Sequence, residues 1–125
     1  MALPEISDQD RIWYILKGYE IKIGPSGTRE WYLNGKRHRE DGPAMEYADG
    51  GREWYLNGER HREDGLPAVE YSDGHREWWV NGKRHREDGP AYEGYGGDKN
   101  WYLNDKEMTE EEHRIIVNEM KIVNT

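Results

Sequence analysis

Three identical copies of Arg-His-Arg-Glu-Asp-Gly, at residues 37–42, 60–65 and 84–89, hold most of the chemistry this chain has to offer. His38, His61 and His85 suggest metal ligation, and Arg39, Arg62 and Arg86 suggest the gripping of an anion. Spacing decides the first reading. If each copy belongs to a unit of two strands, equivalent histidines stand roughly 9–10 Å apart. Zinc holds its ligands at about 2.0–2.3 Å, so in-phase histidines cannot share one ion. Structural or surface roles are expected of them, with no metal and no cofactor. The arginines leave two readings open. They form a ladder of ion pairs between units, each worth a few tenths of a kcal/mol when exposed. Or they form a comb whose planar forks grip an anionic ligand or a partner's carboxylates.

Catalysis finds little to work with. Ser7, Ser26 and Ser72 are the only serines, and none lies in a nucleophile elbow. No glycine-rich phosphate loop precedes a helix, and the carboxylates recur along the chain instead of forming one dyad. The absence of cysteine removes disulfides and thiolate sites. An enzyme is not expected.

The elements that set these residues in phase are written beside them. Four near-copies of one phrase occur: Glu30-Trp31-Tyr32-Leu33-Asn34-Gly35, Glu53-Trp54-Tyr55-Leu56-Asn57-Gly58, Glu77-Trp78-Trp79-Val80-Asn81-Gly82 and Asn100-Trp101-Tyr102-Leu103-Asn104-Asp105. Their tryptophans are spaced 23, 24 and 23 residues apart. A fixed period in this range marks an array, in which one unit cannot bury its own apolar face and stacks on the next. Arrays present an extended surface more readily than a single pocket.

Asn-Gly is the strongest short hairpin signal, because both residues accept the positive φ of a type I′ turn. Asp73-Gly74 predicts a second such turn. Between the two, Trp54-Tyr55-Leu56 and Val69-Glu70-Tyr71 predict short strands. Asp64-Gly65-Leu66-Pro67 predicts a bend or bulge, since proline cannot donate to a ladder. Leu66 is one residue more than the other copies have and accounts for the single spacing of 24.

Alternation of side chains places Trp54 and Leu56 on one face with Val69 and Tyr71, and Met45 and Tyr47 extend that stripe. The tryptophan ladder of Trp31, Trp54, Trp78 and Trp101 is expected to be core. The opposite face shows the rings of Tyr32, Tyr55, Trp79 and Tyr102 beside Glu30, Glu53 and Glu77, joined by Glu46, Glu70 and Glu93. This amphipathic strip is the expected binding surface for a basic protein, since aromatics are common anchors at interfaces. Its alternative is packing inside a curled sheet, and either face is eligible to be the inner one.

The ends differ from the middle. Residues 1–28 predict a degenerate first hairpin, with strands at Ile12–Leu16 and Tyr19–Ile23 and an exit turn at Pro25-Ser26-Gly27. Gly94, Gly96 and Gly97 predict a loosened third unit. In residues 105–125, Thr109-Glu110-Glu111-Glu112 is a capping box ahead of a helix ending about Val123. Ile116, Met120 and Val123 make one apolar stripe on it, widened by Ile115 and Ile122. A helix of ~14 residues is marginal alone and must dock. It closes the exposed last strand, or it joins a second copy as a homodimer or a partner. The expected fold is all-β: about five tandem antiparallel hairpins of ~23 residues in one elongated twisted sheet, with a C-terminal capping helix. The array itself spans residues 29–104.

Composition agrees with a thin aromatic layer. Hydrophobic residues make up 34% and charged residues 35%, against roughly 45–50% and 25% in ordinary domains. Six Trp and nine Tyr, with no Phe, supply rings that tolerate half-burial. The net charge of −8 is distributed along the chain and argues against nucleic-acid binding, which needs clustered Lys and Arg. No run approaches the ~20 apolar residues of a membrane span, and the first residues lack the features of a signal peptide. A soluble, cytoplasmic protein is expected.

The phrase Trp54-Tyr55-Leu56-Asn57-Gly58-Glu59-Arg60-His61, followed by Glu70-Tyr71-Ser72-Asp73-Gly74, resembles the MORN repeat (membrane occupation and recognition nexus). The resemblance covers residues 29–104 well and residues 12–28 loosely. It is nearest to the divergent MORN-like arrays of bacterial and phage proteins, some labelled antitoxins. It implies an elongated, twisted sheet of successive hairpins used for protein association and sometimes for lipid contact. One departure stands out: where the family has His-Gly-x-Gly, this chain has His38-Arg39-Glu40-Asp41-Gly42.

Together these features predict a non-enzymatic protein-binding module with an acidic, aromatic-rich surface and no membrane or direct nucleic-acid contact. Two alternatives remain. One is a phage-type, anti-CRISPR-like inhibitor, acidic enough to imitate nucleic acid against a host enzyme. The other is a binder of a small anionic ligand such as a nucleotide.

Overall fold

A computed structural model describes residues 3–123; Met1, Ala2, Asn124 and Thr125, at the outer ends of the terminal segments, lie outside the described residues. The chain is mostly antiparallel β-sheet, with a helix at each end: α1 (Asp8–Leu16) and α2 (Glu110–Val123). Asn57 (φ 51°) and Gly58 (φ 82°) are both left-handed, and their turn pairs Tyr55–Leu56 with Glu59–Arg60. The same turn at Asn34-Gly35 and Asn81-Gly82 pairs Tyr32 with Arg37 and Trp79 with Arg84.

A second set of pairs crosses these. The main sheet passes in order through Tyr19–Ile23, Arg29–Leu33, Met45–Glu46, Arg52–Glu53, Val69–Glu70, Arg76–Glu77, Tyr92–Glu93, Lys99–Leu103 and Lys106–Met108. Glu53, for example, faces Met45 on one side and Val69 on the other. The two middle strands of the phrase therefore serve two ladders: Arg52-Glu53 and Arg76-Glu77 join the main sheet, and Tyr55-Leu56 and Trp79-Val80 join their own hairpins. At Trp54 and Trp78 the strand is interrupted. There the Trp54 amide donates to the Ala68 carbonyl (2.8 Å) and the His61 amide to the Trp54 carbonyl (3.1 Å). Trp31–Ala44 and Trp78–Ala91 repeat the first of these bonds at 2.8 Å. Ala44, Ala68 and Ala91 are wholly buried, so the smallest side chain stands where backbones meet. The core at the N-terminal side gathers Tyr14, Trp31, Ala44, Met45 and Tyr55.

Four expectations are corrected. Ile12–Leu16 is helix, not the first strand of a hairpin, and Tyr19–Ile23 pairs instead with Arg29–Leu33. Ser7 caps that helix by accepting from the Asp10 amide, with Asp8 and Asp10 in the favourable first turn. The two faces of the phrase do not divide into core and surface. Trp31 and Trp78 are buried, and so are Glu53, Tyr55 and Glu77, because the break at the tryptophan turns the strand between two ladders. The glycine-rich stretch 94–97 is not loosened: Gly94 donates to Asp98 and Gly97 to Gly94, as Tyr47 does to Gly51 and Gly50 to Tyr47.

The last correction concerns α2. Its capping box forms, with Glu112 N–H donating to Thr109 Oγ1 (3.1 Å) and Thr109 N–H to Glu112 Oε1 (3.0 Å). The buried stripe is His113 and Val117, however; Ile116 and Val123 are exposed and Met120 is half-buried. The helix approaches the sheet one turn nearer its start, where the His113 ring donates to the Arg86 carbonyl (2.6 Å). Among the described residues, no helix is long and apolar enough to cross a membrane.

Candidate binding grooves along the loop edge

The inner glutamates come first, because their partners show that they are occupied. Glu53 is 2% exposed. Its Oε2 accepts from the hydroxyls of Tyr47 (2.6 Å) and Tyr71 (3.0 Å), and its Oε1 from Tyr55 (2.7 Å) and the Arg60 guanidinium (3.1 Å). Burial alone would raise this carboxyl; the bonds from Tyr47 and Tyr55 and the charge of Arg60 outweigh it and hold the group below its ordinary value. Burial and the same carboxylate push the Tyr71 hydroxyl up to about 12. Glu77 is similarly enclosed, by His75 Nε2 (2.6 Å), Trp79 Nε1 (2.8 Å) and Arg84 (3.7 Å). An open strip of Glu53, Tyr55 and Glu77 is therefore corrected to an interior network.

The other residues of that strip are distributed. Glu30 is half-buried against Tyr32 (3.1 Å) and Arg37 (3.0 Å). Tyr102 donates to Glu107 (3.0 Å), since Asn100 stands where the other copies have glutamate. Glu46, Glu70 and Glu93 lie beside Arg29, Arg52 and Arg76 at 3.6, 3.5 and 3.1 Å.

Arg39, Arg62 and Arg86 make one arrangement three times. Their guanidinium groups lie 4.0, 3.7 and 3.8 Å from the ring centres of Trp31, Trp54 and Trp78. Each donates to a proline carbonyl: Pro43 (3.1 Å), Pro67 (3.0 Å) and Pro90 (3.0 Å). Each also approaches Glu46, Glu70 or Glu93, at 3.7, 3.3 and 3.7 Å. These ion pairs lie within one unit, which corrects the expected ladder between units. A comb of open forks is limited by the same contacts: Arg39 uses all three of its nitrogens, Arg86 two and Arg62 one. Burial lowers the Arg62 guanidinium from its ordinary value, with Glu70 opposing that shift.

The histidines join neighbouring units. His38, His61 and His85 each accept at Nδ1, from the amides of Asn57 (2.9 Å), Asn81 (2.9 Å) and Asn104 (3.1 Å). That bond assigns the ring proton of the neutral form to Nε2, which faces Glu40, Glu63 or Glu87.

The two largest of the grooves described lie along the loop edge. One groove, of about 650 Å³, runs between residues 39–43 and 61–66 over a floor of Trp54 and Leu56. A second, of about 470 Å³, runs between residues 61–66 and 85–88 over Trp78, Trp79 and Val80. Leu66 lines both. Their rims are acidic: the side chains of Glu40, Glu63 and Glu87 are 78, 76 and 53% exposed, against 15, 24 and 19% for Arg39, Arg62 and Arg86. The Glu-Asp pairs were visible in the sequence only as neutralisers of the arginines, and Leu66 only as an insertion. An apolar residue added to a loop of charges was the available signal. No family model, no curated protein and no solved structure matches this chain.

Proposed function

We propose that this protein is a non-enzymatic binding module, a tandem array of MORN-like hairpin units that holds a basic protein along its loop edge. Recurrence of the Arg-on-Trp contact at one sequence offset, and of the His-to-Asn and Trp-to-Ala contacts at offsets that differ only by the residue inserted at Leu66, supports the tandem reading. The division of charge carries the functional one. Every unit turns its carboxylates at 40, 63 or 87 outward and folds the neighbouring arginine onto a tryptophan. A surface with that division attracts cations and repels phosphates. It speaks against a small anionic ligand, since each arginine lies on a tryptophan behind an exposed carboxylate.

The test is affinity capture from the native host's lysate, followed by titration of the purified partner at low and high salt. Binding should weaken with salt and fall about tenfold or more in a Glu40→Gln/Glu63→Gln/Glu87→Gln variant, since charge-assisted contacts are the strong ones. A partner that binds this variant as well as the parent chain would remove the proposal. The regular acidic rim favours one second reading, imitation of nucleic acid. In that case the captured partner binds DNA or RNA itself, and nucleic acid competes with the module for it.

A further inference from the structure

The two ends of the chain show how the floor of a unit is covered when a helix rests on it. At the front, α1 sets Tyr14 against Trp31, with ring centres 6.2 Å apart. The Tyr14 hydroxyl donates to Asp41 (2.8 Å) and accepts from Arg39 (3.0 Å). Trp31, beneath both Tyr14 and Arg39, is 1% exposed. At the back, α2 packs on Lys99–Leu103 and closes over Leu103, and His113 donates to the Arg86 carbonyl.

Between these ends the equivalent surfaces carry no helix. Trp54 and Leu56 are the counterparts of Trp31 and Leu33, and Arg62 and Asp64 of Arg39 and Asp41; all four line the first groove. Trp54, Leu56 and Val80 remain half-exposed. Leu66 points to use of the grooves as well. It is 46% exposed, and its loop is held by two successive left-handed residues, Asp64 (φ 64°) and Gly65 (φ 69°). The units at 41–43 and 88–90 close without such an insertion, so folding alone does not call for an apolar side chain there.

On the protein-binding reading above, we propose that the two middle grooves each seat a short amphipathic helix of the partner. Its apolar side lies on Trp54 and Leu56, or on Trp79 and Val80, with Leu66 between the two seats. Its lysines and arginines meet the carboxylates at 40–41, 63–64 and 87–88. The chain's own helices supply the precedent for the shape, and the exposed acids supply the charge that selects a basic partner.

A synthetic peptide copying residues 6–17, with Asp8→Lys and Asp10→Lys, is the probe. It is titrated onto the full isotope-labelled chain while backbone and indole resonances are followed. Saturable binding is expected, with shifts centred on Trp54, Trp79 and residues 61–66. Leu66→Asp should weaken it at least tenfold and leave thermal unfolding unchanged, since that side chain contributes to no core. Glu63→Lys should weaken it similarly. No saturable binding at millimolar peptide, shifts elsewhere, or unaltered affinity in Leu66→Asp would overturn the proposal. The captured partner separates this failure from that of the functional reading. Normal affinity for Leu66→Asp with loss for the triple Gln variant would remove the seats and leave the acidic edge. Self-association abolished by Leu66→Asp would give the grooves to a second copy and likewise overturn a partner helix.

Discussion

Glu53 and Glu63 stand ten residues apart in one unit and meet opposite surroundings. Glu53 lies beside the break at Trp54 and is enclosed by three tyrosine hydroxyls and Arg60. Glu63 lies beyond the hairpin, where Arg62 turns in over Trp54 and leaves the carboxylate in solvent. Identical residues thus divide into interior framework and open rim by their place relative to the tryptophan. Charge patterning alone does not separate them; burial and partner number do.

The comparison breaks most sharply at Glu53. Glu53→Ala leaves Tyr47, Tyr55, Tyr71 and Arg60 without their shared acceptor and should cost about 3–5 kcal/mol in urea unfolding. A loss under about 1 kcal/mol would place Glu53 among exposed, dispensable carboxylates. Acid sharpens the same point. The folded carboxyl is held below its ordinary value of 4.5, so its contribution is full above that value and is lost as pH falls through the folded one. Stability of the parent chain should therefore decline more steeply below pH 4.5 than that of Glu53→Gln, compared by unfolding at a series of pH values.

Smaller effects follow outward. Arg62→Ala removes the stack on Trp54 and the bond to Pro67 and should cost about 2 kcal/mol, because that cation is largely desolvated. Glu63→Gln should change stability by no more than about 0.5 kcal/mol, as surface substitutions do, and act on partner affinity alone. Equal stability losses from Arg62→Ala and Glu63→Gln would abolish the proposed distinction.

Much of the architecture was written in short-range chemistry. Asn57-Gly58 and its copies announced their turns because few other pairs accept two positive φ angles. Thr109 and Glu112 announced the start of α2 by reciprocal capping. Other parts depended on contacts between distant residues. Ile12-Trp13-Tyr14-Ile15-Leu16 has the residues of a strand, yet Ser7 and the acids behind it open a helix whose Tyr14 reaches Arg39 and Asp41. The inward turn of Glu53 was hidden because alternation assumes one straight strand, and this one divides between two ladders at Trp54. The grooves were hidden for the same reason: their walls come from loops one period apart. The loops recur plainly in the sequence, but the direction each arginine takes does not.

The histidine hooks give the stack a polarity. Each imidazole takes a proton donor from the segment that follows it, so any unit with this ring offers a docking point to a successor. Met108 occupies that offset after Trp101, and a thioether is a poor substitute. No ring nitrogen is offered at that offset, and the chain turns at Thr109 into α2. The consequence is a test of coupling between copies: Met108→His, with a further copy of the phrase spliced in behind it, should extend the sheet only if the ring is what joins one copy to the next.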